Sequence, residues 1–563
     1  MDTHFHFSTY LAHQNLISIE MAFRTTKKQD INLVLPSWRP GRYELAEYAM
    51  NIKHVHVVAG EKELKVIKSS RNVWSIQNCP AAEVTVSYLY FANVLNAGSC
   101  YIDEHLLYVN PINCCFHLEG QLDSRVKASM DVPKDFKANG MLPIKAGRMK
   151  AKSFDEWYDS PFLASSKIKR VKFDIEGVST SVVFQGDVLD PPSSVEKIFK
   201  AFMKKQVKAF GSCPVTEYTY LVLCTPHRYY HGVEHELGTV LTLGPDKQVF
   251  TGSVFQDLLG VSSHEFYHTW NVKYMRPAEM WPYKFTEENY HRIGYIIEGI
   301  TTYQGDVKLW QSGVFNDEQF LSEIKTHLDR NNANLGRHHL SVRESSFDLW
   351  VDGYKPSIPD RKVSIYTEGA LIALIMESLV IQESKGKKNL DAVMKALYNH
   401  CQKRGRGYTE EDFMDILATF IGKKANSLFK YTLDQAGDLH KKVGKALSSM
   451  GVELKEDDSD IWASYYGLKF GTEAQPKVMN VHSSSEAYAL GIRVGMTLIG
   501  VDNIWIESDL QNLLVNNRSK LHMKEGKVMK EFTLNKSKVS LYLQFQLTKK
   551  AGKEGALWKA WKT

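Results

Sequence analysis

The stretch "SSHEFYHTW", residues 262–270, places His264 and His268 four positions apart, with Glu265 directly after the first. On an α-helix, four residues turn about 400° and rise about 6 Å. The two imidazoles therefore project to nearly the same side, one turn apart, where both can reach one Zn2+ at roughly 2.0–2.1 Å. Glu265 is rotated about 100° from His264. It stands beside the ion rather than on it, where its carboxylate can take a proton from an attacking water, which is the working logic of the His-Glu-x-x-His pattern. Two histidines that merely share a helix face would show the same spacing, so the reading depends on a third ligand.

A catalytic zinc site commonly has three protein ligands and one open position. Downstream, "RIGYIIEGITTYQGDVKLW" (residues 292–310) reads as a second, largely apolar helix. Glu298 lies in it among Ile296, Ile297 and Ile300. An ionised carboxylate in such surroundings needs a partner to offset its desolvation, and a divalent cation is one. The alternative is a carboxylate on the helix's polar side. The expectation is one zinc per chain, held by His264, His268 and Glu298.

The rest of the chain bounds what such a site can belong to. At 563 residues it exceeds what one hydrophobic core organises, so several domains are expected. Hydrophobic residues at 43% and charged residues at 24% describe an ordinary globular protein rather than a disordered one. The formal net charge of +6, from 70 basic and 64 acidic residues, is too diffuse to argue for nucleic acid. The most apolar run, "ALIALIMESLVI" (370–381), is too short to span a bilayer and carries Glu377, so no membrane span is expected. The opening "MDTHFHFSTYLAHQNLISIEM" has no basic region followed by an apolar block, and no secretory signal is read there. Seven cysteines, with no Cys-x-x-Cys pair, suit free thiols in a reducing compartment; the expected location is cytoplasmic.

Hydrophobic patterning divides the chain. Residues 1–170 read as a β-sandwich-like domain: "HFHFSTYL", "INLVLP" and "VTVSYLYFA" alternate or run apolar between turns such as Pro40-Gly41. Residues 171–455 hold further strands, among them "EYTYLVLC" (217–224), and then mostly helices with apolar residues at helical spacing. "SSVEKIFKAFMKKQVKAFG" (193–211) is one of these, with Gly211 as its stop. Residues 460–550 return to β-strands with scattered glycines. Residues 551–563 form a basic tail with two tryptophans, expected as a solvated end, with docking as the alternative.

With these motifs in order, the chain resembles the glycyl aminopeptidase family. "HEFYHTWNVKYMRP" followed by "EGITTY" carries the likeness, with "LPSWRPGRYELAEYAMNI" (35–52), "HGVEHELGT" (231–239), "SIYTEGALIAL" (364–374) and "YYGLKFG…GIRVGMTLIGVDN" around it. The resemblance implies a multidomain α+β protein. Its parts would be an N-terminal β domain, a thermolysin-like, mainly helical zinc peptidase domain and a C-terminal PDZ-like β domain. It implies zinc ligation by His264, His268 and Glu298, Glu265 as general base, Glu234 holding the substrate's α-amine, and Tyr366 as hydrogen-bond donor to the oxyanion. Gly232 and His235 flank Glu234 in the same substrate-binding motif. An amine-anchoring carboxylate beside the metal would set the distance to the first peptide bond. The strand bearing it is expected at a sheet edge, where a peptide can align by strand addition.

One departure stands out. Related enzymes often carry lysine before the glycine that follows the tyrosine; here the run is Tyr366-Thr367-Glu368-Gly369, and the added negative charge is expected to alter the field there. The expected activity is removal of an N-terminal residue, small (Gly or Ala) by the family's name, from peptides with a free N-terminus. For the PDZ-like domain two readings stand equally: binding of a peptide C-terminus around "YGLKFG" (466–471), or a packing domain that shapes or shields the active-site cleft. Two other readings remain at this level: a zinc endopeptidase or other hydrolase of amine-bearing substrates, and a PDZ scaffold with a degenerate peptidase fold.

Overall fold

The computed structural model describes residues 2–355, 358–404, 407–472, 475–502, 504–506, 510, 516–550 and 555–563. The N-terminal region is β-rich. A seven-stranded sheet has Thr3–Ser8 at its heart, antiparallel to Leu16–Arg24 and parallel to Val126–Asp131. Two four-stranded sheets pack with it, one of them built on Gln29–Val34 and Val73–Cys79. Alternation does the sorting: in Glu83–Phe91 every second residue is buried, as expected of strands with one face on a core.

The second region begins with a five-stranded mixed sheet. Its strands are β1 (Ile168–Ile175), β2 (Val178–Gln185), β3 (Glu217–Cys224), β4 (Tyr229–His235) and β5 (Gly238–Gly244). The order is β1-β2-β3-β5-β4, with β2, β3 and β5 parallel and β4 antiparallel to β5 at the edge. β3 and β5 are buried almost throughout and are correspondingly rich in Val and Leu.

Helices follow. α1 (Ser194–Phe210) is stopped by Gly211, which adopts a left-handed φ of 91°. α2 (Gly252–Tyr267) packs on α3 (Thr301–Gln311), and α4 (Asp317–Ala333) packs on α5 (Thr367–Glu383). α5, "TEGALIALIMESLVIQE", is apolar on nearly all sides and accordingly lies buried between its neighbours, with Glu377 inside. No described helix is long and apolar enough to cross a membrane.

The N-terminal and helical regions share one continuous hydrophobic core, running from Phe5 through Phe210 and Ile372 to Trp561. The residues after 460 have a second, smaller core of their own, built on Leu468, Val478, Leu498, Leu521 and Met523. That unit is made of small sheets: Leu468–Phe470 with Val478–Val481, and a four-stranded sheet containing Thr497–Val501 and Arg518–Glu525. Within the span expected to be PDZ-like, residues 473–474, 503, 507–509 and 511–515 lie outside the described residues. The small unit ends earlier than the expected 550. Gln544–Lys549 pairs with Val452–Asp457, and Phe545 joins the large core, so this closing strand belongs to the helical region.

The chain end also departs from expectation. Residues 551–554 lie outside the described residues, but Ala556–Lys562 is a helix with Trp558 and Trp561 buried, not a solvated basic end. Both indoles meet Trp310 edge-on, and the Trp561 Nε1–H donates to the Tyr303 hydroxyl at 2.7 Å. The basic residues stay at the rim: Lys562 pairs with Asp317 at 2.6 Å. Two tryptophans three positions apart share a helix face, and burying them outweighs the solvation of the lysines around them.

Candidate metal and peptide site

His264 lies in the last turn of α2 and His268 caps it. The helix then breaks: Asn271 has φ −108° and ψ 81°, outside helical values. The break is useful. The Asn271 carbonyl turns back to His268 Nδ1 at 2.6 Å and accepts its hydrogen bond, which orients the ring so that Nε2 faces His264 and Glu298. The Asn271 side-chain amide meanwhile donates to the carbonyl of Ile296 at 2.8 Å and to Thr301 Oγ1 at 3.1 Å. One residue thus orients an imidazole and ties it to the segment carrying Glu298.

Glu298 sits in a tightly wound stretch, Tyr295–Ile300, that leads into α3. Its Oε2 is 3.6 Å from His264 Nε2 and 3.4 Å from His268 Nε2, and the two Nε2 atoms are 3.0 Å apart. Three donors each about 2.0–2.1 Å from one ion in tetrahedral directions would be separated by about 3.3 Å. The donor set therefore fits a single divalent ion. Its electrostatics agree. Burial lowers His264. Burial would lower His268 too, but the Glu298 carboxylate outweighs it and holds the imidazole up at about 10. Glu298, despite its burial, is held well below the usual carboxylate range by the two histidines. This carboxylate stabilises positive charge strongly, and metal binding, which requires neutral imidazoles, would replace a proton with the ion.

Glu265 is 5% exposed and its Oε2 is buried without a hydrogen-bond partner among the described residues. An orphaned carboxylate oxygen beside this cluster is itself evidence of a site. Burial, with the neighbouring Glu234 and Glu298 charges, pushes its carboxyl up to about 8, against the pull of His268. Ligand atoms of Glu234, Glu265 and His268 all lie within 4.8 Å of one another.

Glu234 comes from the edge strand β4, opposite Thr239 of β5. Gly232, two residues earlier, faces the same way, as strand periodicity requires. A Cβ there would overlap Glu265 Oε1 and stand 2.7 Å from Val261 Cγ2. Its backbone is therefore what faces the Glu265 carboxylate. His235, read with Glu234 as a substrate-binding residue, points to the other side. Its Nδ1 lies 3.1 Å from Asp159 Oδ1, which also receives Lys273 Nζ at 2.8 Å. The physical reason is the period of two: with Glu234 turned to the cleft, the next side chain leaves the strand on its opposite face.

Tyr366 stands at the start of α5, its ring 6.5 Å from that of His264. Burial and the Glu298 charge push its hydroxyl well above the ordinary tyrosine value, so it remains a donor at neutral pH. It is held there by a contact between glycines. A Cβ on Gly369 would lie 2.7 Å from Gly299 Cα, so α5 crosses the Glu298 segment backbone to backbone. Glu368 does not act as the expected negative charge at the tyrosine. It turns to Asn331, which donates to it at 2.8 Å, and burial pushes its carboxyl up to about 7.

Gly232, Glu234, His264, Glu265, His268, Glu298 and Tyr366 line one cleft of about 650 Å³. Its wall includes Gly41 of the N-terminal region, whose turn (φ 73°) rests on the Glu234 carboxylate. Sequence reasoning missed three contributors: Asn271, Gly41 and Tyr43, whose hydroxyl donates to Glu298 Oε1 at 2.7 Å across 255 positions of sequence. No local spacing encodes a contact of that range.

The family model for M61 glycyl aminopeptidase matches residues 257–372, and that for the Peptidase M61 N-terminal domain matches residues 4–166. No curated protein matches. Among solved structures, an aminopeptidase N family protein from Idiomarina loihiensis superposes with a TM-score of 0.91 at 24% identity, covering 100% of both chains. An M1 zinc metallopeptidase from Deinococcus radiodurans aligns over 78% of this chain and 94% of its own, with a TM-score of 0.45 and 12% identity.

Proposed function

We propose, for a chain that carries both M61 domain models and is a metallo-aminopeptidase of the glycyl aminopeptidase family, that it removes single small residues from the free N-termini of peptides with one zinc ion per chain. His264, His268 and Glu298 would hold the ion. When bound, zinc supplies Lewis-acid polarisation of a carbonyl and acidifies water. Glu265 accepts the proton of the attacking water and returns it to the leaving amine; a carboxyl tuned towards neutral pH suits both transfers. Tyr366 donates its hydroxyl proton into a hydrogen bond with the developing oxyanion. Glu234 pairs with the α-ammonium group and fixes the distance to the first peptide bond. Edge strand β4, free of side chain at Gly232, aligns the peptide backbone.

The observation that carries this reading is the convergence of His264 Nε2, His268 Nε2 and Glu298 Oε2 within 3.6 Å of one another, beside a Glu265 oxygen with no hydrogen-bond partner among the described residues. It is tested with paired substrates that differ only in acetylation of the α-amine. Wild type should cleave alanyl and glycyl amides and spare the acetylated forms, and Glu234→Gln should lose the first activity. Cleavage of blocked peptides at internal bonds by wild type would point instead to an endopeptidase.

For the C-terminal unit, a PDZ-like role fits. Among the described residues Leu468–Phe470 pairs only with Val478–Val481, leaving an edge for an added peptide strand. A cytoplasmic setting is supported by Cys79, Cys100, Cys114, Cys115, Cys213 and Cys224 being free thiols.

A further inference from the structure

The N-terminal region reaches the centre of the catalytic cleft at one residue. Tyr43 is 3% exposed, and its hydroxyl donates to Oε1 of Glu298 at 2.7 Å. The other oxygen, Oε2, is the one that faces His264 Nε2 at 3.6 Å and His268 Nε2 at 3.4 Å. The two carboxylate oxygens are thus divided between two tasks.

The segment holding Tyr43 is fixed to the helical region before it reaches the site. The backbone amides of Ser37 and Trp38 both donate to the Phe285 carbonyl, at 2.8 and 3.1 Å. Ala46 N–H returns to the Ser37 carbonyl at 2.6 Å, closing the loop, and the Trp38 indole N–H donates to the Arg42 carbonyl inside it. The Tyr43 ring is boxed edge-on by His291, centroids 5.8 Å apart, and by Trp350 at 6.4 Å. Its rotamer is therefore set by packing, and the hydroxyl is delivered to Glu298 rather than sampling it.

From this geometry we infer that Tyr43 is a positioning residue of the metal site: by occupying Oε1 it confines Glu298 to single-oxygen ligation through Oε2, so that the N-terminal domain completes the metal centre. This rests on the metal-site reading above. A carboxylate free to rotate could offer both oxygens to the ion, which changes the coordination number and takes up the position the substrate needs. Partners of this kind, one bond removed from a metal, typically carry 10–100-fold in affinity or activity.

The experiment uses the full chain and the variant Tyr43→Phe, which keeps the ring and removes the hydroxyl. Tyr48→Phe is the control, since the Tyr48 hydroxyl is buried in the same region without a partner among the described residues. Zinc dissociation constants are measured by chelator competition, and visible spectra are recorded on the cobalt-substituted proteins. Tyr43→Phe should bind zinc about 10–100-fold more weakly and shift the cobalt bands towards higher coordination, with Tyr48→Phe matching wild type in both. Unchanged affinity and spectrum in Tyr43→Phe, or equal losses in both variants, would overturn the inference. Wild type that takes up no stoichiometric zinc would instead overturn the metal-site reading, and this inference with it.

Discussion

Gly232 and Glu265 meet so closely that a methyl group on the glycine would overlap the Glu265 carboxylate oxygen. The edge strand and the helix carrying His264 and Glu265 can come together only because position 232 has no side chain. Gly232→Ala should keep its metal but displace Glu265 by a fraction of an ångström to an ångström, a shift that can cost on the order of 10²-fold in turnover. The check is kcat/KM on alanyl amides together with zinc content; full activity in the alanine variant would show that the contact is not tight in solution.

The crossing of Gly299 and Gly369 has a different consequence. Here backbone packs on backbone, and a Cβ on Gly369 has 2.7 Å to the nearest Cα. Gly369→Ala overpacks a buried crossing, which costs about 1–3 kcal/mol. Because Tyr366 begins the same helix, the variant should lose both melting temperature and kcat.

Glu377 gives a pH signature unrelated to catalysis. It is 1% exposed inside α5, accepts the Leu390 N–H at 2.7 Å, and burial followed by Asp391 pushes its carboxyl up to about 8. A carboxyl raised on folding binds its proton more tightly in the native state. Its contribution is therefore fully present below the ordinary glutamate value of about 4.5 and is lost as pH rises through about 8. Wild-type melting temperature should fall over that window. Glu377→Gln, which keeps an oxygen for Leu390 and cannot ionise, should flatten the fall, so that the variant gains on wild type by an amount worth a few kcal/mol by pH 8. Parallel pH profiles would contradict this.

The terminal helix predicts a stability effect far from the cleft. Trp561 is fully buried, stacks edge-on with Trp310 and Phe320, and donates to Tyr303, the neighbour of the cleft residue Thr302. Trp561→Ala should cost about 3–5 kcal/mol. Thermal unfolding followed by tryptophan fluorescence measures it; an unchanged midpoint would mean the helix is not docked in solution.

How much of this was legible in the chain follows from the range of each interaction. The pairing of His264 with His268 is a helix-turn relationship and is written in nine consecutive residues. Glu298 was legible because a charge among three isoleucines demands a partner. His235 was misread although strand periodicity was there to exclude it: with Glu234 facing the cleft, its neighbour had to face Asp159. The tail was misread from composition, which weighs three lysines against two tryptophans without asking which face each occupies. Tyr43 was not legible at all. Its bond to Glu298 depends on the docking of two distant regions, and no periodicity carries that information. Asn271 was hidden differently, since its role comes from a helix break that turns its carbonyl back onto His268.

The most direct test of the central claim is the turnover of alanine 4-nitroanilide by zinc-loaded Glu265→Gln relative to wild type. The substitution keeps the shape of the side chain and removes its capacity to take a proton. A base in the position described predicts one zinc per chain in both proteins and a rate reduced by about 10²–10⁴-fold in the variant. A Glu265→Gln protein that holds zinc and turns over at the wild-type rate would contradict the account.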